Sequence, residues 1–129
     1  MAPPSPGSTR DRGRAVEQAV AAHLRDHGLR IVDQNYSAAG AELDLVACEP
    51  ASDGALTYVF IEVRSRASAE HGSPLETIDA AKQRRVIRAA TAWLVAHELW
   101  ERVETRFDVV TLELDTNELT GIRQAFETR

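Results

Sequence analysis

Four charged side chains stand where the surrounding pattern leaves little room for charge. Glu42 and Asp44 are two apart in Ala41-Glu-Leu-Asp-Leu-Val46, and Glu62 and Arg64 are two apart in the run Tyr-Val-Phe-Ile-Glu-Val-Arg-Ser-Arg that begins at Tyr58. The second run has the β-branched and aromatic make-up of a central strand, where an unpaired ionised group costs on the order of several kcal/mol unless it is paired or binds a metal. Strand side chains alternate, so Glu62 and Arg64 share a face, and Glu42 and Asp44 share a face opposite Leu43 and Leu45. The polar Glu-Pro-Ala-Ser-Asp-Gly-Ala segment from Glu49 reads as a hairpin-type connection. If the strands are antiparallel and numbers across the ladder sum to 106, Asp44 faces Glu62 and Glu42 faces Arg64.

Acids side by side with a cation beside them suit metal-dependent phosphodiester hydrolysis. Mg²⁺ takes about six oxygens, commonly one or two carboxylates with waters and substrate phosphate. Asp44 and Glu62 are the expected metal ligands and Glu42 an auxiliary acid. Arg64 would stabilise charge developing on the attacked phosphate. Glu17 falls on the rim of the apolar stripe of the first helix and is a third acid for the same cleft, expected on the sheet face towards that helix. The competing reading makes Glu42 with Arg64, and Asp44 with Arg66, cross-strand ion pairs contributing roughly 0.2–1 kcal/mol each. The strand pattern alone leaves both open.

The elements that must position these groups follow from periodicity. Val16, Ala19, Val20, His23 and Leu24 predict a helix over about 11–27, ended by Gly28. Strands are expected over about 29–36, 41–47 and 57–65, and a second helix runs from Glu76 or Asp79 to Leu99 with Val86, Ala90, Trp93, Leu94 and His97 buried. Strands over 106–114 and 119–126 close the chain around an Asp115-Thr116-Asn117 turn. The order predicts an α/β domain with a mixed sheet flanked by helices, the second helix being a crossover long enough to bring the 106–114 strand parallel to its predecessor.

The 129 residues suit a single domain, 11–129, after a flexible tail over 1–10. One cysteine, Cys48, excludes an internal disulfide framework and a cysteine-rich zinc site, and the expected compartment is the cytoplasm. No apolar run is long enough to span a membrane, so no membrane partner is expected. The net charge of −5 argues against indiscriminate coating of nucleic acid, yet Arg64, Arg66, Lys82, Arg84, Arg85 and Arg88 make a local basic strip. Lys82, Gln83, Arg85, Arg88 and Arg66 are therefore candidate phosphate contacts, against the alternative of a solvated helix surface.

Taken in order, Gly13-Arg-Ala-Val-Glu-Gln-Ala19, Gln34-Asn-Tyr36, Ala41-Glu-Leu-Asp-Leu-Val46, Val59-Phe-Ile-Glu-Val-Arg-Ser-Arg66, Lys82-Gln-Arg-Arg85 and Arg106-Phe-Asp-Val-Val110 resemble the successive motifs of the bacterial YraN-like family. That family looks like a branch of the PD-(D/E)xK nuclease superfamily, close in motif layout to archaeal Holliday-junction resolvases. The resemblance covers nearly everything from Gly13 to about Phe126. It implies a restriction-endonuclease-like fold, Glu17, Asp44 and Glu62 as the metal-binding acids, Mg²⁺ or Mn²⁺ as cofactor, and DNA, branched DNA among the candidates, or another nucleic acid as partner. Three departures stand out: Val16 and Ala41 where the family commonly has glycine, and Arg64 at the superfamily's lysine position. Arginine stays protonated at working pH, so Arg64 cannot be a general base. A catalytically inactive binding or protein-interaction module on the same fold is the alternative.

The remaining candidates are weaker. His23 and His27 have the spacing of a zinc pair but lack an adjacent glutamate, and both are expected on the apolar side of their helix. His71 could reach a phosphate. Trp93 and Trp100 read as core or as a homodimer interface, and Cys48 as structural.

Overall fold

The computed structural model describes residues 9–67 and 78–126, with side chains from Gly13 onward. Helix α1 (Thr9–Asp26) is followed by strands β1 (Arg30–Ala38), β2 (Ala41–Pro50) and β3 (Leu56–Arg66), helix α2 (Ala80–Ala96), and strands β4 (Glu104–Glu113) and β5 (Glu118–Phe126). The five strands lie in sequence order in one sheet, with β3 and β4 parallel and the other pairs antiparallel. This is the expected mixed α/β order. Helix α1 begins at Thr9, inside the segment expected as tail; residues 1–8 and His71 lie outside the described residues.

Each helix covers one face. Val16, Val20 and Ala21 of α1 pack on Leu45, Ala47, Val59, Ile61, Val110 and Leu112. On the other face, Val86, Ala89, Ala90, Trp93 and Leu94 of α2 pack on Val46, Phe60, Phe107, Val109 and Phe126. Strand β3 is thus buried on both sides, as its unbroken apolar run requires. Trp93 sets its indole Nε1 2.8 Å from Asp33 Oδ2, which satisfies the polar edge of a ring that is otherwise core. Asp79 caps α2 by accepting from the Lys82 backbone N–H.

Some expected inward positions face water. Ala19, His23, His27 and His97 are exposed, because each helix needs a narrower stripe than the sequence offers to cover its face. His23 and His27 stack on each other with ring centroids 4.2 Å apart, and His27 Nδ1 lies 2.8 Å from the His23 carbonyl oxygen. Trp100 is 47% exposed, whereas Trp93 and Cys48 are core.

Candidate functional site

The β2–β3 ladder pairs Leu45 with Ile61 and Val46 with Phe60, so its numbers do sum to 106. The paired stretch stops at Leu45. One residue further, the Val63 N–H donates to Asp44 Oδ2 at 2.8 Å, and a carboxylate takes the place of a strand carbonyl. Asp44 therefore sits in the opening between β2 and β3, where the two strands begin to part.

Strict alternation fails at the same point. Leu43 packs in the α2-side core while Leu45 packs in the α1-side core, so these two leucines do not share a face as expected. The cause lies on the neighbouring strand. Asn35, between the paired positions Gln34↔Leu45 and Tyr36↔Leu43, has a left-handed φ of 53°, a conformation that asparagine tolerates better than most residues. The turn in β1 carries β2 with it in register and aims Glu42 and Asp44 towards α1. There they meet Glu17: one ligand oxygen each from Glu17, Glu42 and Asp44 lie within 4.8 Å of one another. With its amide turned so that the nitrogen faces the two acids, the orientation in which both are met by a donor, Asn35 bridges the group, Nδ2 standing 2.9 Å from Glu17 Oε1 and 3.1 Å from Glu42 Oε1. Asn35 was named only as part of the Gln34-Asn-Tyr36 motif and given no role; nothing in the hydrophobic pattern marks it as a site residue.

Glu62 has a different setting. Phe60, two residues earlier, belongs to the α2-side core, so Glu62 points to the face of the second helix rather than the first. Its Oε1 lies 3.3 Å from Arg64 Nη2 and 3.4 Å from Lys82 Nζ, and the residue is 6% exposed. Glu42 does not meet Arg64, because the rotation of β2 turns it to Glu17 and leaves Glu62 as the arginine's partner. Arg66 meets Glu113, not Asp44: its Nε lies 2.8 Å from both carboxylate oxygens across the parallel β3–β4 pair. The expected cross-strand ion pairs are thus replaced by others. Lys82, the single lysine among 15 basic residues, is an immediate neighbour of the acids. Gln83 Nε2 donates to the Ile78 carbonyl at 3.2 Å, while Arg85 and Arg88 are exposed further along α2.

The electrostatics are those of acids lacking enough positive charge. The Asp44 carboxyl is pushed up to about 7, first by burial and then by the charge of Glu62, against the opposing Val63 hydrogen bond; Lys82 also lowers it. Glu17 is raised too, by burial and by Asp44, with the Asn35 bond working the other way. A divalent cation would relieve both. A groove of about 480 Å³ lined by Gly13, Arg14, Glu17, Asn35 and Glu42 gives access to the cluster.

Between the C-terminal part of α1 and strands β4 and β5 lies a cavity of about 350 Å³ bordered by His23, His27, Glu49, Arg106, Asp108 and Arg123. Its charges satisfy one another: Arg106 bonds Asp108 and Glu49, and Asp108 also accepts from the Gln124 N–H. The acid of the Arg106-Phe-Asp-Val-Val110 motif is therefore a structural anchor.

The family model described as "Uncharacterised protein family UPF0102" matches residues 16–112. A UPF0102 protein of Stutzerimonas stutzeri is 42% identical over 117 residues, covering 89% of this chain and 93% of its own. One from Albidiferax ferrireducens is 41% identical, covering 94% and 91%, and one from Legionella pneumophila is 31% identical, covering 92% and 97%. Among solved structures, Pyrococcus furiosus SfsA in complex with Ca²⁺ is matched at 18% identity and a TM-score of 0.34, over 91% of this chain and 64% of that one.

Proposed function

The chain belongs to the UPF0102 family, and we propose that it is a nucleic-acid-binding protein and metal-dependent endonuclease that hydrolyses DNA phosphodiester bonds, with branched DNA a candidate substrate. One observation carries the reading. Asp44 stands between two sets of acids, Glu17 and Glu42 on one side and Glu62 on the other, and its carboxyl is driven up by burial and by Glu62. Such a cluster is costly without a cation and useful with one. The residues fit a hard divalent ion, because every available ligand is a carboxylate or backbone oxygen. Asp44, Glu62 and Glu17 would hold Mg²⁺ or Mn²⁺, with Glu42 in support. The ion would activate water and offset charge on the phosphate.

The chain's own residues divide the remaining work. Asp44 is locked by the Val63 N–H, so its free oxygen has a fixed direction. Asn35 holds Glu17 and Glu42 together. Arg64 and Lys82 supply positive charge where a phosphate would enter, Arg64 as a permanently charged fork rather than a proton acceptor. Arg85 and Arg88 extend that charge along α2 for backbone contacts that position a duplex without reading its sequence. Arg66, held by Glu113, serves the strand pair first.

Incubation of the purified protein with junction, flap, duplex and single-stranded DNA in Mg²⁺ or Mn²⁺ tests the proposal. Cleavage that disappears in Asp44→Asn and Glu62→Gln supports it; inactivity on all four substrates refutes the enzymatic part. A specific observation favours the binding-module alternative: Glu62 already carries two cations and the lysine position of the strand is an arginine. In that case Asp44→Asn leaves DNA affinity unchanged.

A further inference from the structure

Among the described residues, two buried polar atoms lack a hydrogen-bond partner: Arg64 Nε and Thr111 Oγ1. They are not independent. Arg64 and Thr111 are partners in the parallel β3–β4 register, one position pair beyond Val63↔Val110. Phe107 and Val109 of β4 pack in the α2-side core, so Thr111, next in that alternation, faces the side that carries Glu62 and Arg64. It is 1% exposed.

A buried hydroxyl that bonds nothing carries its full desolvation cost, and valine would fill the same space without that cost. Arg64 is poorly served as well. It reaches Glu62 Oε1 with Nη2 at 3.3 Å, longer than a good charge-assisted bond, shares that oxygen with Lys82, and strands its Nε. About a third of the side chain remains exposed, so its terminal nitrogens border solvent.

We propose that Thr111 is a positioning residue for Arg64 in the metal-loaded site. When Glu62 turns to a divalent cation, Arg64 loses its Nη2 partner. Its Nε–H then donates to Thr111 Oγ1, and both terminal nitrogens turn outward to a phosphodiester oxygen of the nucleic acid. The two orphaned atoms are the donor and the acceptor of that bond. The inference rests on the reading that Glu62 takes part in holding the cation. It assigns Thr111 a role through Arg64, with no contact to substrate.

The test follows the Arg64 Nε–H signal in ¹H–¹⁵N spectra during Mg²⁺ titration, alongside affinity for a DNA junction in Ca²⁺. In the wild type and in Thr111→Ser, Mg²⁺ shifts the signal and slows its exchange; in Thr111→Val it does neither. Thr111→Val weakens junction binding in Ca²⁺ by roughly ten- to a hundredfold, as expected for removal of one hydrogen bond to a charged group. It leaves metal-free binding and calorimetric Mg²⁺ affinity unchanged, and has no further effect in an Arg64→Ala background. Its metal-free melting temperature rises, since the unsatisfied hydroxyl is gone. Mg²⁺ binding with an unresponsive Arg64 signal, or a Thr111→Val protein that melts lower and is not restored by serine, overturns this inference alone. A wild type that binds no Mg²⁺ overturns it together with the metal-site reading.

Discussion

Replacing Asp44 by asparagine should stabilise the metal-free protein at alkaline pH, which is an unusual outcome for a buried, hydrogen-bonded site. The Asp44 carboxyl is raised from an ordinary 3.8 to about 7 by burial and by Glu62. The sign follows from proton linkage. Below pH 4 both folded and unfolded chains hold the proton and there is no penalty. Between about pH 4 and 7 the folded chain keeps a proton that the unfolded chain has lost, so stability falls as pH rises, and above 7 the full penalty applies. Roughly three pH units correspond to an upper limit of about 4 kcal/mol. Asparagine keeps an oxygen for the Val63 N–H but remains a buried amide, which brings the expected gain at pH 8 to about 1–3 kcal/mol.

Urea denaturation of both proteins at pH 5 and pH 8, in EDTA and in Mg²⁺, measures this directly. In EDTA the asparagine variant should exceed the wild type at pH 8 by more than at pH 5. With Mg²⁺ a thousandfold above its Kd, the wild type gains about 4 kcal/mol and the order reverses. An asparagine variant less stable than the wild type at pH 8 in EDTA would show that Asp44 is already a satisfied structural partner.

Three other perturbations separate the parts of the site. Reversing charge at Arg85 and Arg88 should weaken DNA binding and reduce the log-log salt slope by up to about 0.9 for each phosphate no longer neutralised, read by fluorescence anisotropy across a salt series. Asn35→Gly preserves the left-handed backbone but removes the bridge between Glu17 and Glu42, so it should weaken Mn²⁺ binding in calorimetry and move Glu17 still higher in carboxyl NMR titration; Asn35→Ala adds strain of about 1 kcal/mol at φ 53°. Trp93→Phe removes the bond to Asp33 and should cost about 1.5–3 kcal/mol in urea denaturation while metal affinity stays the same, since that bond lies in the α2-side core.

The architecture was legible because its signals are local. The apolar run from Tyr58 has the make-up of a central strand, the helix after Ser65 was long enough for a crossover, and a hairpin reading of the Glu49–Ala55 segment made β2 and β3 antiparallel neighbours; the 106 register was the condition under which Asp44 would face Glu62, and the ladder has it. The site was legible only in outline. That Asp44 and Glu62 interact could be argued from register, but the face could not, because one asparagine in a left-handed conformation rotates the outer parts of β1 and β2 and sends Glu42 to Glu17 instead of Arg64. Conformation at a single residue does not show in hydrophobic alternation. Nor did spacing reveal that Lys82, about 20 residues beyond Glu62 in sequence, returns to it in space, or that Thr111 lies against Arg64. Both depend on the parallel crossover that brings α2 and β4 to β3.

Calorimetric titration of Mn²⁺ into the wild type, Asp44→Asn and Glu62→Gln tests the central claim most directly. The carboxylate cluster around Asp44 predicts a bound ion in the wild type, with affinity that climbs with pH up to about 7 as Asp44 gives up its proton, and binding lost or greatly weakened in both variants. A wild type that binds no Mn²⁺, or variants that bind it as the wild type does, would contradict the account.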